Sequence, residues 1–269
     1  MEKNVTYYTN NTDHKCFVIT IAGLTYEITS LYPSTYNYCR DYLSDNSPAI
    51  KVKVTDSDIK YEIAKERVFF YSCREFDGQS QIQRIVKREI NENLIELVVL
   101  YRKIIEESFA HGVFFMHGAV IAVDNKAYMF TAPSGTGKTT HIMKWLNKGL
   151  GAYVVNGDKP LIKITKSSVI ACGTPWRGNE NLGVNTMVPL SSIVLMERSE
   201  ENYIEEISFG QAIPSLLQQI YIPDDQEKAK QELKAFSQLN GKVRFFKFYF
   251  NNFKDDCFTI AYNALINRN

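Results

Sequence analysis

The sequence predicts an α/β chain with a mixed sheet, in which a small β-rich lobe precedes a domain built around a glycine loop. Three observations carry that expectation. Apolar and polar residues alternate in the first part, one amphipathic helix lies near residue 100, and a strand, a glycine-rich loop and a short helix follow it in direct succession. The 269 residues suffice for one large domain or a main domain with an appended lobe, since domains hold roughly 100 to 200 residues each. The boundary is expected near residue 90, giving a β-rich lobe over 1–90 and the glycine-loop domain over 91–269.

Taken in order, Cys16 to Ser30 alternates around Gly23, Ile50 to Thr55 alternates again, and Arg67 to Ser72 is rich in strand formers. All three read as strands. Glu92 to Ala110 sets Leu94, Leu97, Val98, Tyr101, Ile104, Ile105 and Phe109 at three- and four-residue steps, with Gly112 as a stop. That pattern predicts a helix. Ala119 to Val123 and Ala127 to Thr131 are apolar runs around Asp124-Asn125-Lys126, the signature of a hairpin. The loop Ala132 to Thr140 comes next, then a short helix over His141 to Leu146.

Downstream, Tyr153 to Val155 reads as a strand ending at Asn156-Gly157-Asp158. Leu161 to Thr165, Val169 to Cys172 and Ile193 to Glu197 continue as an antiparallel meander. Asp224 to Asn240 predicts an amphipathic helix whose charged face holds Glu227, Lys228, Lys230, Glu232 and Lys234. Val243 to Phe250 and Asp255 to Ile266 close the chain as strand and helix.

The composition excludes several classes of function. A net charge of +1 and a pI near 7.6 give no broad basic surface for nucleic acid. The cysteines Cys16, Cys39, Cys73, Cys172 and Cys257 are odd in number and lie far apart, suggesting reduced thiols and neither a disulfide framework nor a zinc site. Met1 to Asp13 lacks the pattern of a signal peptide and no window reaches the length of a membrane span, so a cytoplasmic address and no membrane partner are expected.

The chemistry concentrates in Ala132-Pro133-Ser134-Gly135-Thr136-Gly137-Lys138-Thr139-Thr140. A phosphate chain held by consecutive main-chain N–H groups requires residues without bulky Cβ substituents, and Gly135 and Gly137 supply them. Lys138 brings a compact charge to the terminal phosphates, and Thr139 stands at the helix start where its hydroxyl can ligate Mg²⁺. Ala132 replaces the first glycine of the usual pattern. The expected ligand is ATP with Mg²⁺, held by Ser134, Gly135, Thr136, Gly137, Lys138, Thr139 and Thr140.

The run His117-Gly118-Ala119-Val120, the loop Ser134 to Thr140 and Asn156-Gly157-Asp158-Lys159 together resemble the catalytic domain of HPr kinase/phosphorylase. Arg177-Gly178, Leu182-Gly183-Val184-Asn185 and Val188-Pro189-Leu190 extend the likeness, and the same core resembles the nucleotide half of ATP-dependent phosphoenolpyruvate carboxykinase. The similarity covers roughly His117 to Arg198, with a weaker echo over Val243 to Ile266. It implies a mixed-sheet P-loop domain, a kinase and assembly into rings. Where HPr kinases carry two adjacent aspartates this chain has Gly157 and Asp158, and Asn179 to Asn181 are inserted.

On that resemblance Lys138, Asp158 and Arg177 are the candidate catalytic residues. Asp158 would orient or deprotonate an acceptor hydroxyl or hold Mg²⁺, and Arg177 would offset charge developing in transfer. Thr139, Asp158 and Glu180 are the candidate metal ligands. Bland alternatives stand beside each: a turn cap for Asp158, a surface ion pair for Arg177, a solvated loop residue for Glu180. His117 is either a core imidazole or a group near the phosphates, and Trp176 either a substrate wall or packing. His14, His111, His141 and Trp145 are read as structural. The expected activity is transfer of γ-phosphate to a hydroxyl of a peptide, small protein or small molecule. The alternatives are a carboxykinase-like enzyme acting on a small keto acid, or a nucleotide sensor without turnover.

Overall fold

The structure is a computed structural model that describes residues 15–72 and 91–266, so that His14 and Cys73 lie outside the described residues. The chain divides into two compact units, Met1–Thr20 with Leu24–Ile104, and Ile21–Gly23 with Ile105–Asn269. Among the described residues no helix is long and apolar enough to cross a membrane.

In the first unit β1 (Cys16–Ile21), β2 (Leu24–Thr29) and β3 (Ile50–Lys53) form a three-stranded sheet in that order. Ala22 and Gly23, both at positive φ, make the two-residue turn that matches strand twist. β3 runs parallel to β2, with Tyr26 opposite Ile50, and the return path holds α1 (Pro33–Tyr38). The strand expected at Arg67 to Ser72 is absent. That stretch is the end of α2 (Asp56–Ser72). Thr55 and Asp58 cap each other, the Asp58 carboxylate accepting from Thr55 N at 2.8 Å and the Thr55 hydroxyl from Asp58 N at 3.4 Å. A helix nucleated there propagates through residues of strand preference, because each further residue adds a hydrogen bond without a new nucleus.

The helix expected at Glu92 is α3 (Glu92–Ser108), followed by a 3-10 turn at Phe109–His111 and by Gly112 in the left-handed region at φ 67°. Its buried stripe holds Tyr101, Ile104, Ile105 and Phe109 as the apolar spacing suggests and departs from it in the first two turns. Leu94 and Val98 are 59% and 46% exposed, whereas Ile95, Val99, Leu100 and Ile104 are buried. Glu96 turns inward with them. Its carboxylate accepts from Leu31 N at 2.5 Å, from Tyr32 N at 3.3 Å and from the Thr35 hydroxyl, so it satisfies the open amides at the start of α1.

The second unit holds β4 (Val113–Phe115), β5 (Ala119–Val123), β6 (Lys126–Thr131), α4 (Lys138–Leu146), β7 (Tyr153–Asn156), β8 (Leu161–Ile164) and β9 (Val169–Cys172). After these come β10 (Met187–Arg198), β11 (Tyr203–Ile207), α5 (Phe209–Leu216), α6 (Gln226–Ser237), β12 (Arg244–Phe250) and α7 (Cys257–Leu265). The nine strands run β4-β8-β9-β10-β6-β5-β7, with β12 also on β10 and β11 on β12. The β5–β6 hairpin forms as expected, turning through Asp124 and Asn125 at φ 48° and 58°.

β10 makes the sheet mixed. Its first residues pair antiparallel with β9, and the rest lies between β6 and β12, parallel to both. The C-terminal ends of β6, β10 and β12 therefore share one edge. β5 is antiparallel to β6 and to β7, so the start of β5 and the end of β7 reach the same edge. Ligands of open α/β sheets bind outside strand carboxyl ends. The core beneath this edge centres on Trp145, fully buried against Phe130 at 5.8 Å and Phe258 at 5.1 Å between ring centroids.

One residue departs from its expected surface position. Glu232 of α6 is fully buried, both carboxylate oxygens lack a hydrogen-bond partner, and burial pushes its pKa up to about 8. The native protein therefore holds a proton that the unfolded chain releases above its ordinary value of 4.5. Stability falls as pH rises through that window. Glu232→Met, which removes the unsatisfied group at similar volume, is expected to stabilise by about 1 to 3 kcal/mol at and above neutral pH. The gain should shrink towards about pH 5, and melting curves that shift equally at both ends of the range would contradict this.

Candidate functional site

The glycine loop leaves β6 at Thr131, whose buried hydroxyl donates to His117 O at 2.6 Å. Gly135 and Gly137 take φ of 75° and 118°, a region closed to most side chains. A Cβ at Gly135 would meet nothing within 4 Å, whereas one at Gly137 would stand 2.9 Å from Asn252 Nδ2. Gly137 is thus required by close approach as well as by conformation. α4 starts at Lys138 with Gly137 as its N-cap, three residues before the expected start. Ser134 and Thr140 are exposed, Thr139 is half-buried on the first turn, and the Thr136 hydroxyl donates to Pro133 O at 2.7 Å.

Lys138 is buried, only 8% exposed. Its ammonium donates to Ala132 O at 2.8 Å and to Pro133 O at 3.2 Å, and meets His117 Nε2 at 3.1 Å. An ammonium has three protons and no acceptor, so Nε2 must be the unprotonated ring nitrogen and Nδ1 carries the hydrogen. Nδ1 faces Asp158 Oδ1 at 3.4 Å, and Asp158 Oδ2 is paired with Lys159. Burial, then the Lys138 charge, holds the His117 pKa below its ordinary value and keeps the ring neutral. Burial also lowers the Lys138 pKa, opposed by the Asp158 carboxylate.

Asp158 is placed by Asn156, the buried last residue of β7. Asn156 Oδ1 accepts from Asp158 N at 2.9 Å and from Lys159 N at 2.7 Å, while its Nδ2 donates to Thr174 O at 3.1 Å. Gly118 N donates to Asp158 O at 3.1 Å, tying the turn to the start of β5. Gly178, in the left-handed region at φ 76°, lies over the carboxylate: a Cβ there would be 2.9 Å from Asp158 Cβ. Gly157 N donates to Leu182 O at 2.9 Å, and a Cβ at Gly157 would come within 3.0 Å of Arg177 O and 3.1 Å of Leu182 O.

The fold therefore brings Lys138, His117, Asp158 and Lys159 into one cluster, with Gly178 against Asp158 and the Arg177 carbonyl against Gly157. Arg177 is half-buried and Trp176 buried. Glu180 is exposed in the inserted turn, and no hydrogen bond or ion pair joins it to a described residue. Among the described residues no three His, Cys, Asp or Glu side chains gather into a metal-holding group. The sequence left His117 between two readings, held Asn156 and Lys159 only as members of the run around Asp158, and gave no role to Arg198 and Asn252. Arg198 Nη2 donates to Gly135 O at 2.6 Å and Nε to Thr136 O at 3.0 Å, and Asn252 Nδ2 donates to Gly137 O at 3.2 Å. The signal for Arg198 and Asn252 is positional, since each ends or follows a strand that the hydrophobic runs already locate.

Two expectations follow from this geometry. Lys138→Met removes the cation beside His117, so the NMR titration midpoint of that ring should rise from its depressed position; an unchanged midpoint would mean the ammonium is elsewhere in solution. Gly157→Asp forces a side chain under the Arg177 and Leu182 carbonyls. It should lower stability by about 1 to 3 kcal/mol, measured by denaturant unfolding, and a neutral or stabilised variant would contradict the packing.

No protein-family model matches the chain, and no curated protein matches it. Among solved structures the chain is similar to the HPr(Ser) kinase/phosphatase from Coxiella burnetii, at 11% sequence identity, over 56% of this chain and 89% of that chain, with a TM-score of 0.35.

Proposed function

We propose that this protein binds ATP with Mg²⁺ through the glycine loop and transfers the γ-phosphate to a hydroxyl acceptor. The observation that carries the proposal is the junction of Lys138 and Asp158 through one imidazole, 3.1 Å on one side and 3.4 Å on the other. It sets a phosphate-binding cation and a carboxylate at the same sheet edge, the separation of tasks that phosphoryl transfer requires.

In this reading the loop amides of Ser134 to Thr140 and the Lys138 ammonium hold the polyphosphate. Thr139 and Asp158 are the residues that would hold Mg²⁺. Mg²⁺ would supply charge neutralisation. Glu180 would reach the ion only if its turn moved in. Asp158, steadied by Lys159 and by His117 Nδ1–H, orients the acceptor hydroxyl and takes its proton. Arg177, carried by the Gly178 turn beside Asp158, offsets charge on the transferring group. The acceptor class remains a serine of a peptide or small protein, or a small-molecule hydroxyl.

A sensor without turnover is favoured by one observation: Gly157 is packed under two carbonyls, so the site has a single carboxylate there. The carboxykinase-like alternative has no comparable support.

Lys138→Met keeps the buried stem and removes the charge. ATP affinity should fall about 10- to 100-fold, in line with the roughly 1.5 to 3 kcal/mol of a charge-assisted hydrogen bond. Undiminished affinity by calorimetry would refute the phosphate assignment. Asp158→Asn, whose amide oxygen can still face Mg²⁺ and which cannot take a proton, should retain ATP binding and fail to transfer label from γ-labelled ATP to a partner in a lysate of the host. Full transfer by that variant would remove Asp158 as the base, and tight ATP binding with no labelled partner for the wild type would favour the sensor.

A further inference from the structure

Three consecutive carbonyls of the glycine loop are held by side chains from outside it. Arg198, at the end of β10, grips Gly135 O and Thr136 O with two arms of one guanidinium, at 2.6 Å and 3.0 Å. Asn252, just beyond β12, takes Gly137 O at 3.2 Å. In a planar trans peptide the C=O of one residue and the N–H of the next point in opposite directions. Fixing these carbonyls on the outer side therefore fixes the N–H groups of Thr136, Gly137 and Lys138 towards the inner side.

The inner side is where other donors already converge. Pro133 O accepts from Thr136 N at 3.4 Å, from the Thr136 hydroxyl at 2.7 Å and from the Lys138 ammonium at 3.2 Å. The Thr136 N–H is thereby closed on the loop itself, which leaves those of Gly137 and Lys138.

Asn252 is itself held by a chain of donors that runs from the core to the loop. Trp145 Nε1 meets His141 Nε2 at 3.0 Å, His141 Nδ1 meets Cys257 Sγ at 3.5 Å, and Cys257 Sγ meets Asn252 Oδ1 at 3.6 Å. An indole N–H can only donate, so His141 Nε2 accepts and Nδ1 bears the proton. A ring that accepts at Nε2 is neutral, and burial pushes the Cys257 pKa up to about 11 and keeps the thiol protonated. His141 then donates to the sulfur, the thiol donates to Asn252 Oδ1, and the carboxamide is left with only its NH₂ for Gly137. Every hydrogen bond points the same way.

We propose that Arg198 and Asn252 are positioning residues of the phosphate loop, which turn the Gly137 and Lys138 amides towards a bound polyphosphate by holding the preceding carbonyls from behind. The inference rests on the ATP-binding reading above and adds residues to it that contact no substrate.

The test uses the full chain with MgATP as the probe. Order parameters of the Thr136, Gly137 and Lys138 amides in the free protein, from ¹⁵N relaxation, report the clamp; calorimetric MgATP affinity reports its consequence. Arg198→Lys keeps the charge and loses the fork, and Asn252→Asp keeps the shape but sets an acceptor against Gly137 O. Each should lower the order parameters from about 0.85 towards 0.6 and weaken MgATP about tenfold, with order in β10 and β12 unchanged. Cys257→Ala, which frees the carboxamide to turn over, should give a smaller loss of the same sign if Asn252→Asp does not fold. Variants with wild-type loop order and wild-type affinity overturn the clamp while leaving the ATP reading intact, and so does full affinity in Arg198→Lys. A wild-type protein that binds no MgATP overturns the ATP reading instead, and the role of the clamp with it.

Discussion

The second unit depends on where one ammonium is allowed to sit. Lys138 belongs to the first turn of a helix packed on the aromatic core, yet its charged end lies beneath the loop that precedes it, with its three protons directed at Ala132 O, Pro133 O and His117 Nε2. Burying a cation is costly unless every proton is matched and an opposite charge is near. Here the matching is local and the opposite charge is one imidazole away. Lys138 thereby ties the end of β6, the start of β5 and the turn after β7 into one assembly, because His117 and Asp158 belong to the last two.

That arrangement makes the imidazole more than filler. With Asp158 joined to Lys138 through His117 rather than paired directly, the lysine can exchange a carbonyl for a phosphate oxygen without stranding the carboxylate, which keeps Lys159. The proton on His117 Nδ1 is fixed by the same logic, since the ammonium leaves Nε2 no choice but to accept. A polyphosphate entering from the loop side would meet Lys138 and α4's open amides first and the carboxylate last. That order is the one a transfer to an acceptor beside Asp158 needs.

Much of this was legible in the residues. The loop composition dictated its left-handed glycines, Asp124-Asn125 dictated the hairpin, and the runs from Tyr153 to Cys172 dictated three strands, because each signal is local. What escaped was set at a distance. Glu96 is buried in α3 because its carboxylate serves the amides of Leu31 and Tyr32, 65 and 64 residues earlier in the chain, and no periodicity of apolar residues can register that. The Thr55 and Asp58 cap carries helix through Arg67 to Ser72 against local preference. Glu232 looked solvated among lysines and a glutamate, and lies inside. Arg198 and Asn252 act on the loop across parallel strand pairings that join residues more than fifty positions apart, so nothing in their own neighbourhood announces them.

The single carboxylate of the site has a packing cause. Gly157, Gly178 and Gly183 pack closely about the end of β7 and the turn of Asp158, where a Cβ would lie 3.0 Å from Arg177 O, 2.9 Å from Asp158 Cβ and 3.1 Å from Val155 O respectively. Close packing of backbone on backbone leaves room for one acidic side chain and excludes a second beside it. The same packing sets Gly178 over that carboxylate, and the inserted residues 179–181 beyond it are exposed, Glu180 among them. A site built this way sets the ammonium groups of Lys138 and Lys159 about one aspartate and is net positive before anything binds. Such a field favours a polyanion over a metal ion alone, so any divalent cation would enter on the phosphates rather than ahead of them.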